Sequence, residues 1–221
     1  MSALSLGSAW TLANENENWG HWRGHGGNSV STTATPPTTW SGTENVKWKV
    51  EIPGRGSGSP VIWGDQVFVV SAVTEGGVAP ERAGKGGKKG KGKGGRASGP
   101  LLKLSFQVFC FERETGDLKW KQVAVEAVPH EGTHQTNGFA SASPCTDGEG
   151  VYAHFSSRGL FCYDMAGELL WSRTDFGEMT TRAGFGEGSS PTLAGDKILV
   201  PWDHEGSSAL YALDKKTGKT I

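Results

Sequence analysis

The sequence predicts an all-β chain, part of a β-propeller of four-stranded blades with about three blades present. Three observations predict it. "FCFERETGDLKW" (Phe109–Trp120), "FCYDMAGELLW" (Phe161–Trp171) and "ALYALDKKTGKTI" (Ala209–Ile221) repeat one pattern of strand, acidic residue, Gly turn and second strand. Upstream of each stands a Ser-Pro unit, "GSPVIWGDQVFVV" (Gly58–Val70), "ASPCTDGEGVYAHF" (Ala142–Phe155) or "SSPTLAGDKILVPW" (Ser189–Trp202). Trp120 and Trp171 lie 51 residues apart, and the same step from Trp171 ends at position 222. Short strands with periodic Gly turns and one recurring aromatic per unit are the signature of propeller blades.

The first strand of each unit follows Ser-Pro, and a Gly-containing turn leads into a second strand rich in β-branched and aromatic residues. The Phe/Tyr-rich strand comes third and a strand ending in Trp fourth. Gly116, Gly167 and Gly218 occupy the turn between third and fourth strands, where a tight hairpin needs φ > 0. Glu112, Asp164 and Asp214 enter that turn, placed to accept hydrogen bonds from its backbone. Trp120 and Trp171 read as wedges between neighbouring blades. Trp48, in "NVKWKVEIPG" (Asn45–Gly54), holds the same position in a leading fourth strand. Cys110 and Cys162 share one register with Ala212, which makes them small core residues.

These units place blades at about 55–125, 138–175 and 187–221 within a propeller region of 18–221. The interval from Trp48 to Trp120 is 72 residues, 21 longer than the period, and the excess falls in a Gly/Lys-rich insertion at 74–100. Closed propellers typically have about four to eight blades, so a chain with three is expected to be a fragment of a longer one. Open blade edges would also favour self-association, including the pairing of two copies into a six-bladed ring.

Composition narrows the class further. The 221 residues include 34 Gly and nine Trp, which suits turns and sheet packing better than a helical bundle. Of 22 basic and 23 acidic residues, residues 81–96 hold seven basic and one acidic; the remaining 15 and 22 give the body a charge of −7. An acidic body with one basic tract does not suggest a nucleic-acid partner, and no apolar run of 18 residues suggests a transmembrane span. Three cysteines without CxxC spacing suggest neither a disulfide framework nor a zinc site. Residues 1–17 read as a remnant signal peptide whose basic start is missing, with a cleavage site after Ala13, so the protein is expected to be periplasmic or otherwise extracytoplasmic.

Candidate site residues fall in loops that a propeller gathers on one face. These loops lead into the first strands (Pro129–Pro144, Thr181–Pro191) and join second to third strands (Ser156–Gly159, Asp203–Ser208). His130, Glu131, His134, Asn137, Arg158, Arg182, Glu187, Asp203, His204 and Glu205 form the expected polar rim, a default binding hypothesis on a rigid scaffold. "HEGTH" (His130–His134) matches the zinc-protease pattern H-E-x-x-H, but Pro129 and Gly132 deny it the required helix. A metal shared by His130, His134, Asp203 and His204 is a weaker alternative, and the expectation is that there is no metal and no catalytic residue.

"YALDKKTGKTI" and "FCFERETGDLKW" resemble the pyrroloquinoline-quinone-like (PQQ-like) repeat, with its Asp, Thr-Gly and Trp pattern. The stretch from Asn18 to Val69 resembles the opening of bacterial PQQ-like propeller proteins of the kind abundant in planctomycetes. The resemblance implies one of two functions. Some relatives are quinoprotein dehydrogenases that hold the quinone and usually Ca²⁺; others, including the outer-membrane protein assembly propeller, use the repeat as a scaffold without quinone. This sequence has no Cys-Cys pair of the kind that lies against the quinone, and no matching calcium set. The expected function is therefore a non-catalytic scaffold or binding module that takes a protein or carbohydrate-like partner on its polar rim, with no cofactor. A fragment of a periplasmic PQQ-dependent dehydrogenase, with Ca²⁺, is the alternative.

Overall fold

The computed structural model describes residues 18–24, 26–74, 101–134 and 136–221. The expected leader at 1–17 and all of the insertion beyond Thr74 lie outside the described residues. Three antiparallel meanders follow one another along the chain. The first holds β1 (Val61–Trp63), β2 (Gln66–Thr74), β3 (Leu104–Glu112) and β4 (Leu118–Ala127). The second holds β5 (Cys145–Thr146), β6 (Val151–His154), β7 (Leu160–Tyr163) and β8 (Leu169–Arg173). The third holds β9 (Thr192–Ala194), β10 (Lys197–Trp202) and β11 (Ala209–Asp214). β1 neighbours β5 and β5 neighbours β9, so the first strands converge while the last strands lie outermost. The chain is an incomplete β-propeller of three blades.

Strand alternation puts one face of each sheet on the next. Phe68, Val70, Phe106, Val108 and Cys110 of blade one meet Val151, Ala153, Phe155, Phe161 and Tyr163 of blade two in one buried cluster. Tyr152, Leu160 and Cys162 of blade two meet Ile198, Val200 and Leu213 of blade three in a second. On β10 the buried positions Ile198, Val200 and Trp202 alternate with half-buried ones, the period-2 signature of a sheet with one face in the core. Cys110 is the cross-strand partner of Trp120, and Cys162 of Trp171. Each pair is followed by an irregularity that skips one residue of the outer strand. A small residue beside a bulky one recurs at the same bulge in both blades.

Two devices join blade to blade. Trp48, Trp120 and Trp171 each lie against a turn glycine of the following blade. A Cβ on Gly116, Gly167 or Gly218 would come within 2.7, 2.7 or 2.6 Å of the Trp ring, and all three glycines have positive φ. Each indole N–H donates to a carbonyl of that same turn: Trp48 to Arg113 (2.8 Å), Trp120 to Met165 (3.0 Å) and Trp171 to Lys215 (3.0 Å). The Ser-Pro serines form the second device. The Ser59 amide donates to the Ser143 hydroxyl (2.8 Å), and the Ser143 amide to the Ser190 hydroxyl (2.9 Å).

The turn acids differ in what they hold. Asp164 Oδ1 accepts from the amides of Ala166 (2.9 Å) and Glu168 (2.8 Å), and Asp214 Oδ1 from those of Lys216 (3.1 Å) and Thr217 (2.8 Å). Glu112, one methylene longer, reaches the Glu114 amide only at 3.4 Å and also meets Lys119 at the same distance. The leading segment around Trp48 departs from its expected strand. Residues 46–52 form no strand, because no neighbouring strand pairs with them among the described residues, yet Trp48 keeps its place over the turn of blade one. In blade three the outer strand is represented by a single bridge, Leu213 to Thr220, and by the Ile221 amide bonded to Ala212 (2.9 Å).

Candidate functional site

The rim loops of blades two and three are tied to each other by side chains. The loop joining β6 to β7 closes on a single 3-10 turn, Ser156–Arg158, with Ser156 at φ 50°. From that turn Ser157 reaches the loop leading into blade three. Its amide and hydroxyl donate to Glu187 at 2.9 and 2.5 Å, and its hydroxyl accepts from the Met179 amide at 2.8 Å. Arg158 donates to His130 Nδ1 (2.9 Å) and approaches Glu178 at 3.4 Å. His130 Nε2 lies 2.6 Å from the Met179 carbonyl, an acceptor, so Nε2 is the donor of that bond. Glu131 Oε1 accepts from both the amide (3.0 Å) and the hydroxyl (2.5 Å) of Thr181.

His130, Glu131, Arg158 and Glu187 thus gather around a small cavity of about 20 Å³, lined also by Phe106, Phe139 and Phe155. That is roughly the room for one water-sized sphere. A ligand atom from each of His130, Glu131 and Glu187 lies within 4.8 Å of the others, the one such grouping with metal-ligand chemistry among the described residues. Both His130 nitrogens and both Glu187 oxygens are already engaged by protein partners, so the cluster works as a hydrogen-bonded lock between loops.

The other candidates form separate groups. His134 stacks on Phe185 at 5.2 Å with 16° between the rings. Asn137 donates to the Phe185 carbonyl (2.9 Å), which Thr133 also reaches with its hydroxyl (3.2 Å). Gly186, at φ 95°, has no room for a Cβ, which would lie 2.2 Å from the Thr133 hydroxyl. Phe185 is therefore pinned through its backbone while the residue stays 57% exposed. His204 Nδ1 accepts from the Thr180 amide (3.1 Å), and the Glu205 amide donates to the Thr180 carbonyl (3.0 Å). Asp203 accepts from Ser208 (2.9 Å), and Arg182 is exposed on a second 3-10 turn, Arg182–Gly184.

No helix carries His130 and His134, whose imidazoles have different partners, and neither is bonded to Asp203 or His204. Sequence reasoning passed over Ser157, Glu178, Thr181 and Phe185. The "SSRG" stretch marked the turn that positions Ser157, but its partners lie 22 and 30 residues away. His154 was missed too. It ends β6 just before the rim, fully buried, with Nδ1 3.0 Å from the Ser189 carbonyl and Nε2 without a partner among the described residues. Burial lowers its pKa to about 4, against a smaller opposing pull from the Ser189 carbonyl, so it is neutral at pH 7. Burial likewise pushes the Cys110 and Cys162 thiols up to about 12, which removes thiolate chemistry from both.

The repeat geometry has a counterpart among known families: the family profile described as outer membrane protein assembly factor BamB matches residues 94–221. The chain belongs to this family, a PQQ-like repeat propeller. No curated protein matches it. Among solved structures, the PQQ-like repeat propeller is similar to the quinohemoprotein alcohol dehydrogenase ADHIIG from Pseudomonas putida HK5. That match has a TM-score of 0.41 and 13% identity, and covers 78% of this chain and 21% of the other. It is also similar to BamB from Moraxella catarrhalis, with a TM-score of 0.34, 18% identity, and coverage of 59% of this chain and 35% of that one. The propeller described here thus spans about a fifth and about a third of those two chains.

Proposed function

We propose that this PQQ-like repeat propeller is a non-catalytic binding module that takes a protein or carbohydrate-like partner on the rim of blades two and three, outside the cytoplasm. One observation carries the reading. The rim loops are locked across blades by His130, Glu131, Asn137, Arg158 and Glu187, while Arg182 and Phe185, at the two ends of one short turn, remain exposed. A pre-ordered surface with one aromatic anchor and a charged surround loses little entropy on binding. The buried thiols and the satisfied rim cluster supply neither a free nucleophile nor a general base.

The test uses the immobilised protein and its Phe185→Ala/Arg182→Ala variant against an extracytoplasmic extract and a glycan array. A partner held by the parent protein and lost from the variant supports the rim. Equal retention by both moves the binding surface elsewhere. Dye-linked dehydrogenase activity on addition of the quinone with Ca²⁺ would replace the binding reading by the dehydrogenase one.

A further inference from the structure

Trp19, Gly20 and His21 touch the three blades one after another. Trp19 exchanges two backbone hydrogen bonds with Ile62 on β1, at 2.8 and 2.9 Å. The Gly20 carbonyl accepts from the Thr146 amide on β5 at 2.8 Å. His21 Nε2 lies 3.2 Å from the Thr192 hydroxyl on β9. Ahead of them Asn18, 4% exposed, accepts the Gly64 amide on its side-chain oxygen at 2.8 Å. β1, β5 and β9 are the first strands of their sheets, and each has one edge left unpaired within its own sheet. A free strand edge is a template for an extended segment.

The contacts discriminate between residues. A Cβ on Gly20 would sit 2.3 Å from the Thr146 carbonyl and 3.2 Å from the Trp63 ring. Trp19 is closed over by Gly24, at φ 73°, where a Cβ would fall 2.6 Å from the indole. The edge therefore leaves no room for a side chain at Gly20, and Gly24 lies close against the Trp19 ring. The hold is short: one backbone bridge and the Asn18–Gly64 bond at β1, one amide on β5 and one side-chain contact on β9, where the strands within a blade are joined by ladders. Beyond His21 the segment turns outward, with Trp22 exposed and Arg23 over its ring at 4.3 Å. Segments held by a few hydrogen bonds at a strand edge open at lower free-energy cost than strands inside a sheet.

We propose that the inner edges of β1, β5 and β9 form a binding site for an extended peptide with an Asn-Trp-Gly-His core. The site is filled in cis by Asn18–Gly24 and accepts the same segment supplied in trans.

The experiment inserts a protease site after Gly27 in the full chain, which folds intact and is cut afterwards. Cutting is expected to lower the Tm, and a synthetic peptide of residues 18–27 to restore it in a saturable way. Peptides carrying Trp19→Ala or Gly20→Ala should bind about tenfold or more weakly, the loss expected for one well-made buried contact. An unchanged Tm with no binding of the peptide overturns the proposal, as does equal rescue by the Gly20→Ala peptide. Amide exchange on the uncut Gly20→Ala chain covers the case in which cutting unfolds the protein. Faster exchange confined to Ile62 and Thr146 supports an exchangeable occupant. Uniform acceleration across all three sheets overturns it, because the segment would then be part of the fold and not its ligand.

Discussion

The two blade interfaces share one backbone plan and differ in chemistry at two repeat positions. Val70 on β2 and His154 on β6 hold the same register, each paired two residues before the small residue of the third strand. Val70 faces blade two inside an apolar cluster, whereas His154 faces blade three beside Trp202 with one nitrogen unpartnered among the described residues. Met165 and Lys215 likewise correspond, each following the turn acid. Met165 packs against the cluster between blades one and two. Lys215 spans from blade three to Asp147 of blade two at 2.6 Å, with Glu149 at 3.2 Å. Both interfaces combine buried apolar packing with the indole and serine hydrogen bonds, and the second adds a buried histidine and an ion pair. The second interface is therefore expected to weaken as the pH falls from 7 towards 4, more than the first.

The indole wedge is common to both interfaces, and its loss is the largest expected effect. Trp120→Ala and Trp171→Ala should each cost about 3–5 kcal/mol in denaturant unfolding. A much smaller loss at one site would show that the two wedges do not share a role. His154 comes next. Its folded pKa of about 4 lies below the ordinary value of 6.5, so between those pH values the unfolded chain binds a proton that the fold refuses. Stability should be full above pH 6.5 and fall as the pH drops towards 4, by on the order of 3 kcal/mol. His154→Val, which copies blade one, should flatten that slope, and a slope that persists unchanged assigns it to other groups.

Lys215→Met copies the other difference. Burial raises the Asp147 pKa, but the hydrogen bonds from Lys215 and from the Gly150 and Glu149 amides outweigh it and hold the carboxyl below its usual range. The linkage keeps that stability above the ordinary carboxylate pKa and loses it as the pH falls through the lower folded value. Removing Lys215 strands a carboxylate that is 22% exposed, and about 2 kcal/mol of stability should go with it. Asp147→Asn on that background should recover part of the loss. Ser190→Ala, which removes one acceptor from the serine relay, should cost about 1 kcal/mol and leave the pH profile as it was.

The residues that made the blades legible act over short distances in the chain. Gly116, Gly167 and Gly218 mark turns because their conformation is local, and Trp120 and Trp171 stand out because a wedge must recur once per blade. The sequence offered the candidate site only as a set of polar loops expected on one face. Which of its residues meet was not legible, since His130 finds Met179 49 residues away and Glu131 finds Thr181 50 away. His154 reads in the sequence as one more strand residue, and only the packing of blade three against it removes its water.

By itself the sequence determined the blade, its period and its turns, because hydrophobic alternation and glycine φ are properties of a few neighbouring residues. The tertiary structure alone decided which rim side chains lock together, which face of blade two carries a titrating histidine, and that Asn18–His21 crosses three strand edges. Those outcomes depend on how one blade lies on the next, and the groups that meet there are separated by whole repeats of chain.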